Sequence, residues 1–215
     1  MPMPPAELYA VLENAYGDLG WWPADNIEEM MTGAILTQNT AWSNVERAIA
    51  GFGGRLSARF ILECDTDTLA EIIRPAGYYN IKAQRLKALM EWYAGYGFDP
   101  AHVEPIPTDR LRSELLAIRG VGRETADSIL VYGFGRRSFV IDAYTRRLMH
   151  RLGHEDFPAE YEEQRLWMEQ RLPRKLTVYN QLHALIVEHC KRACTKRAPL
   201  CGQCVLARHC AMRYQ

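Results

Sequence analysis

The sequence predicts an all-α fold, and three observations support this prediction. Apolar residues recur every three or four positions through most of the chain, as they do on one face of a helix. No segment alternates apolar and polar residues as a half-buried strand does. Glycine and proline separate the periodic segments at short intervals. With 215 residues, of which 48% are hydrophobic, the chain can form the core of one large or two small domains.

Each helix is predicted from its own apolar period and from the breakers beside it. The first two periodic segments cover residues 8–15 and 30–35. Thr108, which follows a proline, and Asp142 are predicted N-caps, because their side-chain oxygens can accept from the free N–H groups of a first turn. Further helices are expected near residues 43–52, 66–74, 80–96, 108–118, 123–133, 142–152, 160–171 and 175–190.

The charges are segregated along the chain although the net charge is zero. Residues 1–31 contain six acids and no Lys or Arg, whereas six basic residues and no acid follow Glu188. Residues 136–151 add five arginines against a single acid. Such segregation predicts either a basic face that binds phosphates or an ordinary solvated surface.

Four cysteines near the C-terminus have the spacing of a metal site. Four thiols so close together, in a chain without a recognisable signal peptide, indicate metal ligands rather than disulfides. Zinc and a [4Fe–4S] cluster both accept four cysteines, and the single short Cys-x2-Cys pair with two longer gaps favours the larger cluster, in a structural role. The predicted ligands are Cys194, Cys201, Cys204 and Cys210, and the loop between the first two exposes Lys196 and Arg197 for phosphate contact.

Residues 115–130 have the pattern of two short helices joined by a glycine-rich turn. A helix is expected to end near Arg119, and a second begins after the turn. Glycines allow the backbone to approach a phosphate closely and to point free N–H groups at it. The segment therefore predicts a helix-hairpin-helix motif that binds the DNA backbone, with an ordinary helical hairpin as the alternative. The candidate DNA-binding residues are Gly120, Val121, Gly122, Arg123 and Thr125.

Asp142 is a single carboxylate placed between an apolar triplet and a helix. A lone aspartate in that position is most often an N-cap. If its carboxylate also faces a binding cleft, its charge can stabilise a developing cation, which makes Asp142 the candidate catalytic residue.

The hairpin, the aspartate and the cysteine spacing, in this order, resemble the endonuclease III superfamily of DNA base-excision glycosylases over nearly the whole chain. The resemblance implies two helical domains with a DNA groove between them: residues 24–135, which hold the hairpin, and residues 1–23 with 136–215, which hold the cluster loop 194–210. It further implies double-stranded DNA with a flipped-out damaged nucleotide as the substrate. Gln38 and Tyr78 match the segments that fill the vacated space and wedge the opposite strand, with a packing role as the alternative for each. A monovalent cation is expected at the hairpin.

Glu124 is the main departure from the bifunctional members of that superfamily. Those members carry a lysine at this hairpin position, which attacks the sugar, forms a Schiff base and cuts the strand. A carboxylate cannot form that imine. The sequence therefore predicts a monofunctional enzyme that hydrolyses the N-glycosidic bond and leaves an abasic site, without AP-lyase activity.

The stretch Trp21-Trp22-Pro23, together with Trp42 and Glu124, resembles the base pocket of the 3-methyladenine DNA glycosylase III branch. An indole face attracts a cationic alkylated purine by about 0.5–2 kcal/mol, and such a base is already an activated leaving group. The two adjacent indoles can instead be core residues that join the first two helices. One indole can belong to the core while the other stacks on the base.

Three other functions stay open: a uracil or thymine mismatch glycosylase, an oxidised-pyrimidine glycosylase, and a DNA-binding module without catalytic activity. The sequence contains no run of about 18 apolar residues, so no membrane span is predicted. The acidic N-terminal segment does not resemble a signal peptide. We therefore expect a cytoplasmic, nucleoid-associated monomer that does not bind membranes.

Overall fold

The computed structural model describes residues 2–214, and their side chains as far as Met212. Within those residues the chain is helical, with no β-strand. It divides into two compact units, one formed by residues 22–136 and the other by residues 1–21 together with 137–215. The predicted groove between domains stays a prediction. No helix in the described part of the chain is long and apolar enough to cross a membrane.

The unit of residues 22–136 is built around its longest helix, α6. Leu86, Leu89 and Tyr93 on α6 are fully buried, and α4 and α5 pack against the helix. Side chains of Asn26, Ser57 and other polar residues cap the starts of these helices by accepting from backbone N–H groups. The helices are α2 (Ile27–Leu36), α3 (Trp42–Ala50), α4 (Ala58–Glu63), α5 (Thr66–Ile72), α6 (Tyr79–Ala94), α7 (Pro100–Val103), α8 (Thr108–Ala117) and α9 (Arg123–Ser128).

The other unit is built around α12, which packs against α1 and α10. Leu182, Leu185 and Ile186 of α12 are fully buried in its core, where they join Leu8 and Leu12 of α1. The helices are α1 (Pro5–Tyr16), α10 (Ala143–Leu152), α11 (Tyr161–Gln170) and α12 (Leu176–Arg192), followed by short 3₁₀ turns at Cys201–Gln203, Ala207–His209 and Ala211–Tyr214.

The all-α prediction is confirmed, and two local predictions differ from the structure. Thr108 is not an N-cap but the first residue of α8, because Pro107 adopts the extended cap conformation without a side-chain hydrogen bond. The predicted helix 123–133 is α-helical only to Ser128 and continues as a π turn from Ile129 to Gly133. Asp142 does cap α10, since its side chain accepts from the backbone N–H of Thr145.

Candidate functional site

The hairpin turn requires glycine at position 120 for two reasons. Gly120 has a φ of +93°, which residues with a side chain rarely adopt. A Cβ added there would lie 2.3 Å from Cγ of Arg85, so the arginine side chain occupies the space that a larger residue would need. Gly122 has open space around it, and Val121 is buried between the two helices. The turn is therefore anchored by its valine and shaped by its first glycine.

A buried ion pair joins the two helices of the hairpin. Arg112 on α8 donates from Nε and Nη2 to the two carboxylate oxygens of Asp127 on α9, at 2.8 and 2.9 Å. The Asp127 side chain is fully buried, and that of Arg112 is 15% exposed. Such a two-pronged pair fixes the relative orientation of its helices as well as their separation.

Gln38 is hydrogen-bonded to the hairpin. Its Nε2 donates to the carbonyl of Gly120 and to the hydroxyl of Thr125, both at 3.0 Å, and its Oε1 accepts from Arg85. These residues line one side of an open pocket of about 980 Å³, to which Glu124 also contributes. The structure thus brings together Gln38, the hairpin turn and Glu124.

Tyr78 stands out from the surface at the start of α6. It is 71% exposed and has a φ of +48°, a conformation that is uncommon for an aromatic residue. Ile81, on the next turn, is 50% exposed, and sequence reasoning missed it. An exposed apolar pair on a strained turn suits insertion between stacked bases.

Trp22 and Trp42 form an aromatic cluster with Tyr132. The two indoles meet edge to face at 5.2 Å between ring centroids, and Tyr132 lies 5.3 Å from Trp22. Gly33 faces both indoles, since a Cβ there would lie 3.4 Å from Nε1 of Trp22. The next residue on α2, Ala34, lines the pocket that holds Gln38 and Glu124. The three rings of the cluster are partly buried and pack against the core of this unit.

Trp21 belongs to the other unit and has different neighbours. Lys191 of α12 places its ammonium 5.6 Å from the ring centroid of Trp21, a cation–π arrangement. Pro23, the third residue of the predicted pocket segment, is exposed. The structure therefore groups Trp22 with Trp42 and places Lys191 beside Trp21.

Asp142 is a buried carboxylate with two partners. Its Oδ1 accepts from the N–H of Thr145 at 2.7 Å, and its Oδ2 lies 3.5 Å from Nε2 of His183 on α12. Burial by itself raises the pKa of Asp142, but the interactions with His183 and Thr145 outweigh it, so the pKa is lowered overall. The carboxylate is therefore ionised at neutral pH, as electrostatic stabilisation of a cation requires.

The four predicted metal ligands line a single cavity. Among residues 2–212, no three His, Cys, Asp or Glu side chains converge closely enough to hold a single metal ion. The thiol of Cys194 accepts a hydrogen bond from Arg151 at 3.1 Å. The neighbouring thiol of Cys190 and this guanidinium lower the pKa of Cys194, which favours the thiolate that binds metal.

His189 and Arg151 organise the cysteine loop, and sequence reasoning missed both. The Tyr16 hydroxyl lies 2.9 Å from Nδ1 of His189, while Nε2 lies 3.6 Å from the sulfur of Cys204. Burial lowers the pKa of His189 to about 4, so its ring is neutral. Arg151 donates to the carbonyls of three successive residues of the loop, Cys194, Thr195 and Lys196.

This anchoring leaves the basic side chains of Lys196 and Arg197 exposed. Their backbone is held by a buried arginine, while their charges face solvent. The arrangement is suited to phosphate contact, as the sequence predicted, although that contact stays a prediction.

The sequence matches the HhH-GPD superfamily of base excision DNA repair proteins over residues 32–172. The chain belongs to this superfamily, and its class is that of the DNA glycosylases with an endonuclease III-like fold. DNA is accordingly its partner.

Among its relatives, the Methanocaldococcus jannaschii protein named "Putative DNA repair glycosylase MJ1434" is 48% identical over 211 residues, which cover 95% of this chain and 94% of the relative. Endonuclease III of Sulfolobus acidocaldarius is 29% identical over 86% of this chain and 82% of that protein. The H. pylori 3-methyladenine DNA glycosylase MagIII, solved with bound 1,N6-ethenoadenine, has a TM-score of 0.77 at 25% identity and covers 88% of this chain and 98% of its own. A trapped endonuclease III–DNA intermediate has a TM-score of 0.82 at 20% identity, covering 97% and 96%.

Proposed function

We propose that this chain is a monofunctional DNA glycosylase that releases alkylated purines such as 3-methyladenine and leaves an abasic site. The observation that carries the substrate class is the cluster of Trp22, Trp42 and Tyr132, which lies in the same unit as the hairpin. Aromatic faces attract a cationic base electrostatically, so its recognition does not depend on hydrogen-bond donors in the pocket. The likeness to MagIII, whose solved structure holds a modified adenine, supports the same class.

The carboxylate of Glu124 at the hairpin, where a lyase needs an amine, supports hydrolysis without strand cleavage. Glu124 occupies the hairpin position at which the lyases of this superfamily carry their nucleophile, and it lines the pocket. Lys82 is the lysine nearest to Gln38 in the sequence of this unit, but its amine is buried and donates to three oxygens of the chain. An amine held in this way cannot attack a sugar.

Asp142 acts in this proposal on the sugar rather than on the base. Loss of a cationic purine leaves positive charge on the sugar ring, and an ionised carboxylate stabilises that charge. His183 and the N–H of Thr145 hold the two carboxylate oxygens, so the group is oriented before the substrate arrives. A positively charged base needs little help from a general acid, because it leaves as a neutral molecule.

We assign the cysteine cavity to a [4Fe–4S] cluster. Four thiols line this one cavity, and their spacing, with one short Cys-x2-Cys pair and two longer gaps, favours a cluster over a single zinc ion. A bound cluster would join the four cysteines of residues 194–210 by covalent bonds and so stabilise a segment that has only short 3₁₀ turns. Arg151 and His189 would donate hydrogen bonds toward the sulfurs of Cys194 and Cys204.

The test compares released bases with strand breaks on defined duplexes. DNA that contains 3-methyladenine, uracil, a G·T mismatch, thymine glycol or an abasic site is incubated with wild-type protein and with Asp142→Asn. We expect release of 3-methyladenine by the wild type alone, with breaks only after alkali. Release of uracil or thymine without alkylpurine would refute the substrate class, and breakage of abasic DNA without alkali would refute the monofunctional assignment. Iron and sulfide analysis, set against zinc analysis, tests the cluster.

A further inference from the structure

Lys82 on α6 is a buried lysine whose amine is surrounded by oxygens. It is 1% exposed, and its Nζ donates to the carbonyls of Leu36 and Ala76, both at 2.8 Å, and to the hydroxyl of Thr40 at 3.0 Å. The Thr40 hydroxyl in turn donates to the carbonyl of Ala76. An ammonium has three N–H donors and no acceptor, so these three oxygens match its capacity.

These oxygens come from two separate turns, and each turn contains a strained residue. Leu36 and Thr40 lie on either side of Asn39, whose φ is +53°. Ala76 comes two residues before Tyr78, whose φ is +48°. Residues other than glycine hold such conformations only where the surrounding structure imposes them, and they concentrate at functional sites. One buried cation therefore holds both left-handed turns in place.

The two turns present the side chains that the sequence assigns to DNA. Gln38 lies in the first turn and is bonded to the hairpin at Gly120, while Tyr78 stands exposed in the second. Arg85, one turn after Lys82 on α6, donates to Gln38 and packs on Gly120. The amine of Lys82 therefore binds the turn of Gln38 and the turn of Tyr78 directly. It is connected to the hairpin indirectly, because Gln38 bonds to Gly120.

We propose that Lys82 is a positioning residue that holds Gln38 and Tyr78 in one fixed arrangement for insertion into DNA at the flipped nucleotide. The proposal rests on the proposed function only in taking base flipping as the step that these side chains serve. Lys82 itself touches no DNA, because its amine is buried.

The charge on Lys82 is present at neutral pH. Burial, with a smaller contribution from Arg85, lowers its pKa to about 8, which is still above neutrality. The amine therefore donates three charge-assisted hydrogen bonds under working conditions. A methionine has a similar length and fills the space, but it donates none.

The same helix supplies a matched control. Lys87 donates from Nζ to the carbonyls of Ile61 and Leu62, at 3.0 and 2.9 Å, and to that of Cys64. Like Lys82 it donates to three oxygens of the chain, but here all three are backbone carbonyls at the C-terminal end of α4, away from the turns of Gln38 and Tyr78. Lys82→Met and Lys87→Met thus each remove an ammonium that donates to three oxygens, the first at the turns of Gln38 and Tyr78 and the second at the end of α4.

The test uses a duplex with a tetrahydrofuran abasic analogue opposite 2-aminopurine, whose fluorescence rises when it is unstacked. This duplex contains no base to release, so the result does not depend on the substrate class proposed above. We expect wild-type protein and Lys87→Met to raise the fluorescence on binding and Lys82→Met to bind without raising it. Single-turnover release of the preferred base should fall about 100-fold in Lys82→Met, as for a displacement of about 1 Å, and not in Lys87→Met.

Thr40→Val is the second variant, because it removes the one side-chain acceptor of the ammonium and leaves the lysine in place. It should lose part of the fluorescence rise, and Thr40→Ser should restore it. Equal effects of Lys82→Met and Lys87→Met would overturn the proposal, and so would a full fluorescence rise with Thr40→Val. If Lys82→Met does not fold, the fluorescence changes of Thr40→Val and Thr40→Ser test the proposal instead. Absence of alkylpurine release with an intact fluorescence pattern would refute the substrate and not the role of Lys82.

Discussion

Replacing Arg112 by methionine should destabilise the hairpin unit strongly. The substitution keeps most of the side-chain volume and removes the charge that faces Asp127, which is fully buried. Removing one partner of a buried ion pair costs about 3–5 kcal/mol. At about 2–4 °C per kcal/mol for a chain of this size, the midpoint of thermal unfolding should fall by about 6–20 °C.

The matched control is Arg110→Met on the same helix. Arg110 pairs with Glu114 at 3.0 Å, but its side chain is 68% exposed. Exposed pairs contribute about 0–1 kcal/mol because water and salt screen the charges. The control should therefore unfold within a few degrees of the wild type, on the same conversion.

Thermal unfolding followed by circular dichroism measures both variants, and fluorescence anisotropy measures their affinity for duplex DNA. Because the ion pair orients the two hairpin helices, Arg112→Met should also bind DNA more weakly. A double variant, Arg112→Met with Asp127→Leu, should recover much of the stability, since no unpaired charge remains. If Arg112→Met is no less stable than Arg110→Met, the argument from the buried pair is wrong.

Three further predictions concern the turn, the carboxylate and the indoles. Gly120→Ala should lose about 1–2 kcal/mol from its positive φ alone and weaken DNA binding, whereas Gly122→Ala, with open space around its Cβ, should keep wild-type stability in the same melts. Asp142→Asn should abolish base release but retain DNA binding. The difference in unfolding free energy between wild type and Asp142→Asn measures the stability that the carboxylate adds. This stability should be present above the ordinary pKa of aspartate. It should be lost as the pH falls through the lowered pKa of Asp142 in the folded state. Trp22→Ala should reduce alkylpurine release more than Trp21→Ala, because Trp22 belongs to the aromatic cluster and Trp21 does not; equal losses in a base-release assay would contradict this.

Local patterns in the sequence were sufficient for the helical class and for the motifs. The apolar periods predicted the helices because each helix must bury one face, and the glycines of the hairpin marked a turn because few other residues adopt its backbone conformation. Asp142 was recognised as an N-cap from its position before a helix. The apolar period did not predict the π turn after Ser128, whose residues Ile129, Leu130 and Val131 are buried.

The partners of the candidate site residues were beyond the reach of sequence reasoning. His183 lies 41 positions after Asp142, counting along the printed sequence, and no local pattern connects them. Arg151 and His189 likewise reach the cysteine loop from two different helices. A histidine or arginine on an amphipathic helix is usually a surface residue, so its burial against a functional group is visible only once the helices are packed.

The sequence by itself determined the helices, the hairpin, the cysteine spacing and the substitution of Glu124 for a nucleophilic lysine. All of these depend on residues within a few positions of each other, for which backbone preference and side-chain chemistry are decisive. Only the tertiary structure decided that Trp22 packs edge to face on Trp42, and that Lys82 is enclosed by oxygens from two distant turns. These arrangements form when segments far apart in the chain bury surface together, and the energy of that burial depends on neighbours that the local sequence does not name.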